Sequence, residues 1–360
     1  MNSVGIGQIL LLLLVSSAVV ASAASESPPT GPPQSHMAPA DGAGASQGQS
    51  FGQETTSIQA LTSVGNDLVY AGSFGLGLFR SEDRGATWTK SGQGVTDPFI
   101  LTLTTGKDGA IYAGTFRGGV FRSRDRGKSW QAINSGLKRQ EIKALLVVGD
   151  AVYAGTADGV YRLSAVNDRW SVVTTGLDDI LVHALALSSD GTLYAGTSGK
   201  GILRFKAQST GWVRQQHGLK DHEGMIENFI RVLTIDPEGS IYAGTFDGGV
   251  FRSADGGVTW RAISRALPND SIRGILFNSR GLFVATGHGI FKTTDKGRQW
   301  VPLNKGLTSM SIQVLIESGA GVLYAGTSEG AFRSEDDGQT WNPINRGLEG
   351  GAAPSPFLFR

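Results

Sequence analysis

Ser81-Glu82-Asp83-Arg84-Gly85-Ala86-Thr87-Trp88 decides the fold, because the same octet keeps coming back. Close versions stand at Ser123 to Trp130, Ser253 to Trp260, Thr293 to Trp300 and Ser334 to Trp341. Two more stretches, Leu163 to Trp170 and Phe205 to Trp212, keep the length and the indole but not the Asp and Gly of the motif. All seven tryptophans of the chain are accounted for in this way: Trp88, Trp130, Trp170, Trp212, Trp260, Trp300 and Trp341, spaced 42, 40, 42, 48, 40 and 41 residues apart. A period of roughly 40 to 45 residues carried by short β-type runs predicts an all-β chain, a seven-bladed β-propeller built of four-stranded antiparallel blades. Locally the octet reads as a self-supporting hairpin. The Asp carboxylate accepts bonds from amides of its own turn, Gly permits φ > 0, and the Trp ring packs on an adjacent blade.

Working outward from the octet, the rest of each repeat is legible. An apolar run such as Ile142 to Val148 opens it, and a turn such as Lys107-Asp108-Gly109 follows. Next comes Tyr-Ala-Gly-Thr, led by Tyr112, Tyr153, Tyr194, Tyr242 and Tyr324 and slightly altered at Tyr70 and Phe283, which reads as a second strand. Its small residues suit a close approach of neighbouring backbones, and its leading ring fills space between sheets. A Gly-rich turn then leads to a third strand ending in Phe-Arg or an equivalent. Arg80, Arg122, Arg162, Arg204, Arg252, Lys292 and Arg333 each stand eight residues before a Trp.

The octet resembles the Asp-box, or bacterial-neuraminidase, repeat, and the resemblance runs from about Ile58 to Leu348. It implies that the boxes lie on the face opposite any active site, so that Asp83, Asp125, Asp255, Asp295 and Asp336 are structural rather than catalytic. The layout is also similar to photosystem II assembly-factor-like and sortilin-like propellers, a resemblance that implies binding of proteins or peptides. A sialidase of this kind needs an arginine triad, a tyrosine nucleophile paired with Glu, and a Phe-Arg-Ile-Pro type signature. Ser57-Ile58-Gln59-Ala60-Leu61 stands where the first arginine would fall. Six of the seven tyrosines occupy the second strand and Tyr161 replaces a third-strand Phe, which leaves none for a nucleophile. A glycosidase using two carboxylates drawn from different blades has no local signature and stays open as the alternative function.

Composition narrows the field further. The 360 residues carry a net charge of +1, against the basic patch expected of a nucleic-acid binder. Cysteine is absent, so blade packing and ring closure must supply stability without disulfides. Val4 to Ala21 is apolar and Ala21-Ser22-Ala23 offers a small-x-small cleavage site, which predicts a signal peptide over 1–23 and a secreted or periplasmic protein with no membrane insertion after cleavage. No Lys or Arg precedes Arg80, and an uncleaved anchor is the alternative. Residues 24–56, rich in Pro, Gly and Ser, read as a disordered linker, 57–348 as the propeller, and 349–360 as a tail or closing strand.

The functional clue is a column of polar residues. Aligning the opening strands places Gln59, Leu101, Lys143, His183, Arg231, Arg273 and Gln313 at one position, each just after an apolar residue. With the opening strand innermost, these side chains meet at one mouth of the central channel. Lys143, Arg231 and Arg273 make that mouth cationic and suited to a carboxylate, an acidic glycan or an acidic protein segment. The alternative is a water-filled channel lined with solvated groups. The turns after the second strands share this face, with Phe116, Arg117, Asp247 and His288 as candidate rim contacts. Phe74, Phe116 and Phe246 either meet a partner there or fold back between blades. His217, His222, Glu223 and Glu227 in the long connector match no metal-ligand spacing, and neither a metal nor a cofactor is expected.

Overall fold

The computed structural model describes residues 56–207, 209–215, 217–220, 228–268 and 271–348, all of them within one compact unit, Gly52–Arg360. The expected signal peptide and the 349–360 tail fall outside these residues, as does the linker apart from Thr56. Among the described residues there are twenty-eight strands in seven four-stranded antiparallel sheets, and no helix is long and apolar enough to cross a membrane. In blade one the strands are β1 (Ile58–Val64), β2 (Leu68–Ser73), β3 (Leu78–Ser81) and β4 (Thr89–Lys90), hydrogen-bonded in chain order. The other six blades repeat this order, with first strands at Ile100–Thr105, Ile142–Val148, Val182–Leu187, Ile230–Ile235, Ile272–Asn278 and Ile312–Glu317.

First strands are innermost. Each lies against the first strand of both neighbouring blades, and Ile312–Glu317 against β1 closes the ring. Fourth strands are two or three residues long and mostly exposed, as befits an outer edge kept too short to template pairing with another chain.

Glycines of the second strands set how closely blades approach. A Cβ on Gly114 would sit 2.6 Å from both Ile142 Cγ2 of blade three and Thr102 Cγ2 of its own blade. Blade six has Ala285 at the corresponding place, and there its cross-strand partner is Gly274 where other blades carry Ala60, Val232 or Val314.

The box hairpins form as the octet predicts. Asp83 Oδ1 accepts from Ser81 Oγ at 2.7 Å and from the Thr87 amide at 2.8 Å, while Oδ2 accepts from Thr87 Oγ1 at 2.6 Å. The same bonds recur at Asp125, Asp255 and Asp336, and in reduced form at Asp295. Arg84 (φ 60) and Gly85 (φ 88) show the paired positive φ that tight hairpin turns require.

Behind five of the seven third-strand hairpins the indole reaches the preceding blade, whereas Trp260 Nε1 donates to Gly257 O of its own box at 3.1 Å and Trp212 Nε1 has no partner among the described residues. Trp170 Nε1 donates to Ile133 O at 2.6 Å, Trp341 Nε1 to Leu303 O at 2.8 Å, Trp300 Nε1 to Ile263 O at 3.0 Å, and Trp130 Nε1 to Ser91 O. Trp88 Nε1 makes the corresponding bond to Ile344 O of blade seven at 2.6 Å. The closing seam therefore uses the same bond as four of the six interior seams. Thr56, 6% exposed, adds a bond from Oγ1 to Leu348 O at 2.8 Å.

Strand direction separates the two faces of the ring. Each first strand starts at the end where second strands finish and third strands begin, and third strands run from there to the boxes. The boxes accordingly lie at the opposite end from the start of the first strands.

Candidate functional site

At the start of every first strand the ladder skips one residue. Ile58 pairs with Ser73 and Ala60 with Gly72, which leaves Gln59 between them without a partner. The identical skip falls at Leu101, Lys143, His183, Arg231, Arg273 and Gln313. The polar column is thus a ring of β-bulges. A bulge inserts one residue, bends the strand and re-aims a side chain, so these seven escape the in-out alternation that would otherwise fix their direction. All seven side chains are half-buried.

Contacts around the mouth hold most of these side chains, some within a blade and some across a seam. In blades one and two, Phe74 and Phe99 meet edge to face with centroids 4.8 Å apart, and Phe99 and Phe116 at 6.5 Å. Lys143 Nζ lies 5.7 Å from the centre of the Phe116 ring and 3.1 Å from Glu141 Oε1. His183 Nε2 is 2.6 Å from Ser198 Oγ. Burial, and then the charges of Lys143 and Arg231 on either side, push the His183 imidazole down to about 4, so the ring is neutral at pH 7. The Arg231 guanidinium stands 5.6 Å from the centre of the Phe246 ring, and burial together with Arg273 lowers it to about 10. Arg273 Nη1 donates to Ser311 Oγ at 2.8 Å, and Gln313 Nε2 to the same hydroxyl at 3.2 Å. Gln59 Nε2 donates to Ser57 Oγ at 2.8 Å within blade one.

Among the described residues no carboxylate pairs with Arg231 or Arg273. Two guanidiniums in mutual repulsion, partly desolvated and without an acid among the described residues, form a site where an arriving anion gains more than it would at an exposed arginine.

The rim residues expected from the sequence occupy the same face. Phe74 and Phe246 are 43% and 46% exposed, Phe74 with one side against Phe99 of blade two, whereas Phe116 is half-buried beneath Arg117, whose guanidinium lies 5.1 Å from the ring centre. Asp247 and His288 are exposed on their turns.

Three contributors escaped the sequence reading. Phe99 and Phe229, the latter 49% exposed, stand two residues before the bulge residue, so the alignment of the first strands also lines them up. Asp97, 7% exposed, accepts from the Phe99, Arg117 and Gly118 amides and ties the blade-two turn to the connector before it. No local motif marks that role.

The tyrosines sit elsewhere. Tyr324 Oη and Tyr194 Oη donate to the carbonyls of Arg84 and Gly256 in the box turns of the next blade, and Tyr161, 2% exposed, donates to Asp158 Oδ2. Burial raises Tyr70 and Tyr161 to about 12, out of range for an ionised nucleophile at neutral pH. Among the described residues no group of three or more His, Asp or Glu side chains is placed to hold a metal ion.

The BNR-Asp box repeat family matches residues 78–91 and 120–133. The chain carries Asp-box repeats. No curated protein matches the sequence. Among solved structures it is similar to the extracellular domain of BT3049 from B. thetaiotaomicron, with a TM-score of 0.68 and 18% identity over 79% of this chain and 39% of that one. A GH74 enzyme from Niastella koreensis gives 0.65 and 13% over 82% and 55% of the two chains, and YCF48 bound to a D1 peptide gives 0.63 and 13% over 77% and 92%. The Asp-box chain therefore spans about two fifths of the BT3049 domain. At these identities the likeness is one of fold, a propeller module that hosts unrelated activities.

Proposed function

We propose that this Asp-box propeller is an exported, non-catalytic binding module or assembly scaffold at the cell envelope, which captures an acidic protein segment or an acidic glycan at the bulge-lined mouth. One observation carries the reading: seven bulges at one register, three of them presenting Lys143, Arg231 and Arg273, with both arginines unpaired to any carboxylate among the described residues. Exposed Phe74, Phe229 and Phe246 beside these cations supply apolar contact area of the kind that makes a partner surface. YCF48 with its bound peptide and the BT3049 extracellular domain show that propellers of this shape occur in peptide-bound and extracellular settings, which supports the assignment by analogy of fold.

The test is capture by the Arg231→Ala/Arg273→Ala double variant. Binding to an acidic polysaccharide panel or to acidic envelope proteins should fall at least tenfold, on the scale of two lost charge-assisted bonds, with the thermal midpoint nearly unchanged. Undiminished capture removes the mouth as the site. The same panel separates the binder from a glycoside hydrolase using this face: retention without new reducing ends supports capture, and new reducing ends support cleavage.

A further inference from the structure

A second feature lies on the flank between blades five and six, toward the box end. In each blade the third-strand cation faces one residue of the fourth strand. The pairs are Arg80 with Thr89, Arg122 with Gln131, Arg162 with Ser171, Arg204 with Val213, Lys292 with Val301 and Arg333 with Asn342. Blade five alone sets two cations against each other, Arg252 with Arg261. Like charges directly opposite on neighbouring strands repel, and an uncompensated pair of this kind is a cost that the other six blades avoid.

Four other seams give the third-strand cation a partner in the next blade. Arg80 Nη1 donates to Arg126 O at 3.0 Å, Arg333 Nη1 to Arg84 O at 2.9 Å, Arg122 forks onto Asp168 at 2.6 and 2.7 Å, and Lys292 reaches Asp337. Arg252 instead stays within its own blade, with Nη2 on Ser240 Oγ at 2.7 Å and Nε on Tyr242 Oη at 3.2 Å. The space so left is a cleft of about 330 Å³ lined by Arg252, Arg261 and Lys296 together with Asp255, Thr259 and Ile263. Asp255 spends its oxygens on Ser253 and Thr259 within its box, and Asp236 is reached from Arg252 only through the Tyr242 hydroxyl. Three cations against one committed carboxylate leave two positive charges facing the cleft.

We propose that this cleft is a binding site for a tetrahedral dianion, a phosphate or sulfate group held between the Arg252–Arg261 pair of blade five and Lys296 of blade six. Two guanidiniums supply planar donor forks, and the ammonium supplies a point charge from the far wall. A bound dianion bridges two blades, so it stabilises the ring as well as neutralising the pair. The group is either free inorganic anion or an ester on a polymer.

Thermal unfolding of the full chain, at constant ionic strength set with chloride, tests this. Replacing part of the chloride by inorganic phosphate or sulfate at about ten times its dissociation constant should raise the midpoint by about 2–4 °C. Arg261→Gln, which installs the residue that blade two carries as Gln131, should remove the cleft's share of that rise. In chloride alone it should leave the protein at least as stable as before, because the repelling pair is gone. Lys296→Asn, chosen because Asn tolerates the positive φ of that position, should weaken the rise, and the loss caused by Arg261→Gln should be the same in an Arg231→Ala/Arg273→Ala background, which removes any anion held at the mouth. Tighter, Arg261-dependent binding of a sulfated oligosaccharide than of free sulfate assigns the site to a polymer-borne ester, and equal affinity assigns it to the free anion. No anion-specific rise in the unaltered protein, or an equal rise in Arg261→Gln, overturns the proposal.

Discussion

Gly114 has no room for a side chain: Ile142 of the next blade and Thr102 of its own strand pair already occupy the place of a Cβ. Gly114→Ala should cost about 1–3 kcal/mol of overpacking, read as a lower urea midpoint. Thr102→Gly in the same chain should recover part of that loss, because blade six already pairs Gly274 with Ala285. Individual ionisations make a second, separable forecast. His183 is held near 4, below its ordinary 6.5, so the unfolded chain binds the proton first, and stability is complete above about pH 6.5 and declines as pH falls toward 4. His183→Gln should flatten that slope, worth on the order of 2–3 kcal/mol across the window. The box carboxyls act lower on the scale. Bonds from Ser129 hold Asp125 down to about 2, and bonds from Thr259 do the same for Asp255, so their contribution is present above about pH 4 and is lost as pH falls through 2. Urea midpoints at stepped pH should show these as two distinct declines, the upper one absent from the His183 variant.

Among the elements, the box hairpin was legible because everything it needs is local: the Asp, the hydroxyl residues and the Gly all lie within eight positions. The bulge was not. Its polar column shows in the sequence, but a skipped pairing is a property of two strands together, and an aligned column looks the same with or without it. The indole contact lies between these extremes, since the sequence announces a buried ring and leaves its hydrogen-bond partner open. Trp170, 1% exposed, donates across its seam to Ile133 O, and Trp170→Phe should cost about 1–3 kcal/mol by stranding that carbonyl. Trp212 Nε1 is buried without a partner among the described residues, so Trp212→Phe should cost less than about 1 kcal/mol. Equal losses in the two variants would show that the Trp170 bond contributes nothing beyond packing. Phe74 and Phe246 illustrate the same limit at the rim. Their exposure follows from turn geometry and from what neighbouring blades leave uncovered, which no single repeat encodes.

For the molecule as a whole, closure is the decisive event. Blade seven meets blade one through Trp88 on Ile344 and Gly326 on Ile58, contacts that recur at interior seams, with Thr56 on Leu348 added, and every blade is made of four consecutive strands. No seam is privileged by chain connectivity. A circular permutant joined by a short linker between Leu348 and Thr56 and opened at Arg265–Ala266 should therefore fold with a melting midpoint within about 5 °C of the parent. Failure to fold would mean that closure at the natural seam carries information the other seams lack. The sequence by itself determined the number of blades, the strand order within each, the hairpins that carry the boxes and the burial of the indoles, because those depend on spacing and on contacts inside one repeat. Only the tertiary structure decided that the polar column is a ring of bulges, that Arg231 and Arg273 lack an acidic partner among the described residues, and that Arg252 and Arg261 confront each other beside Lys296. Each of those facts is a relation between strands or blades, and charge and burial act through space, where a linear pattern holds no distance.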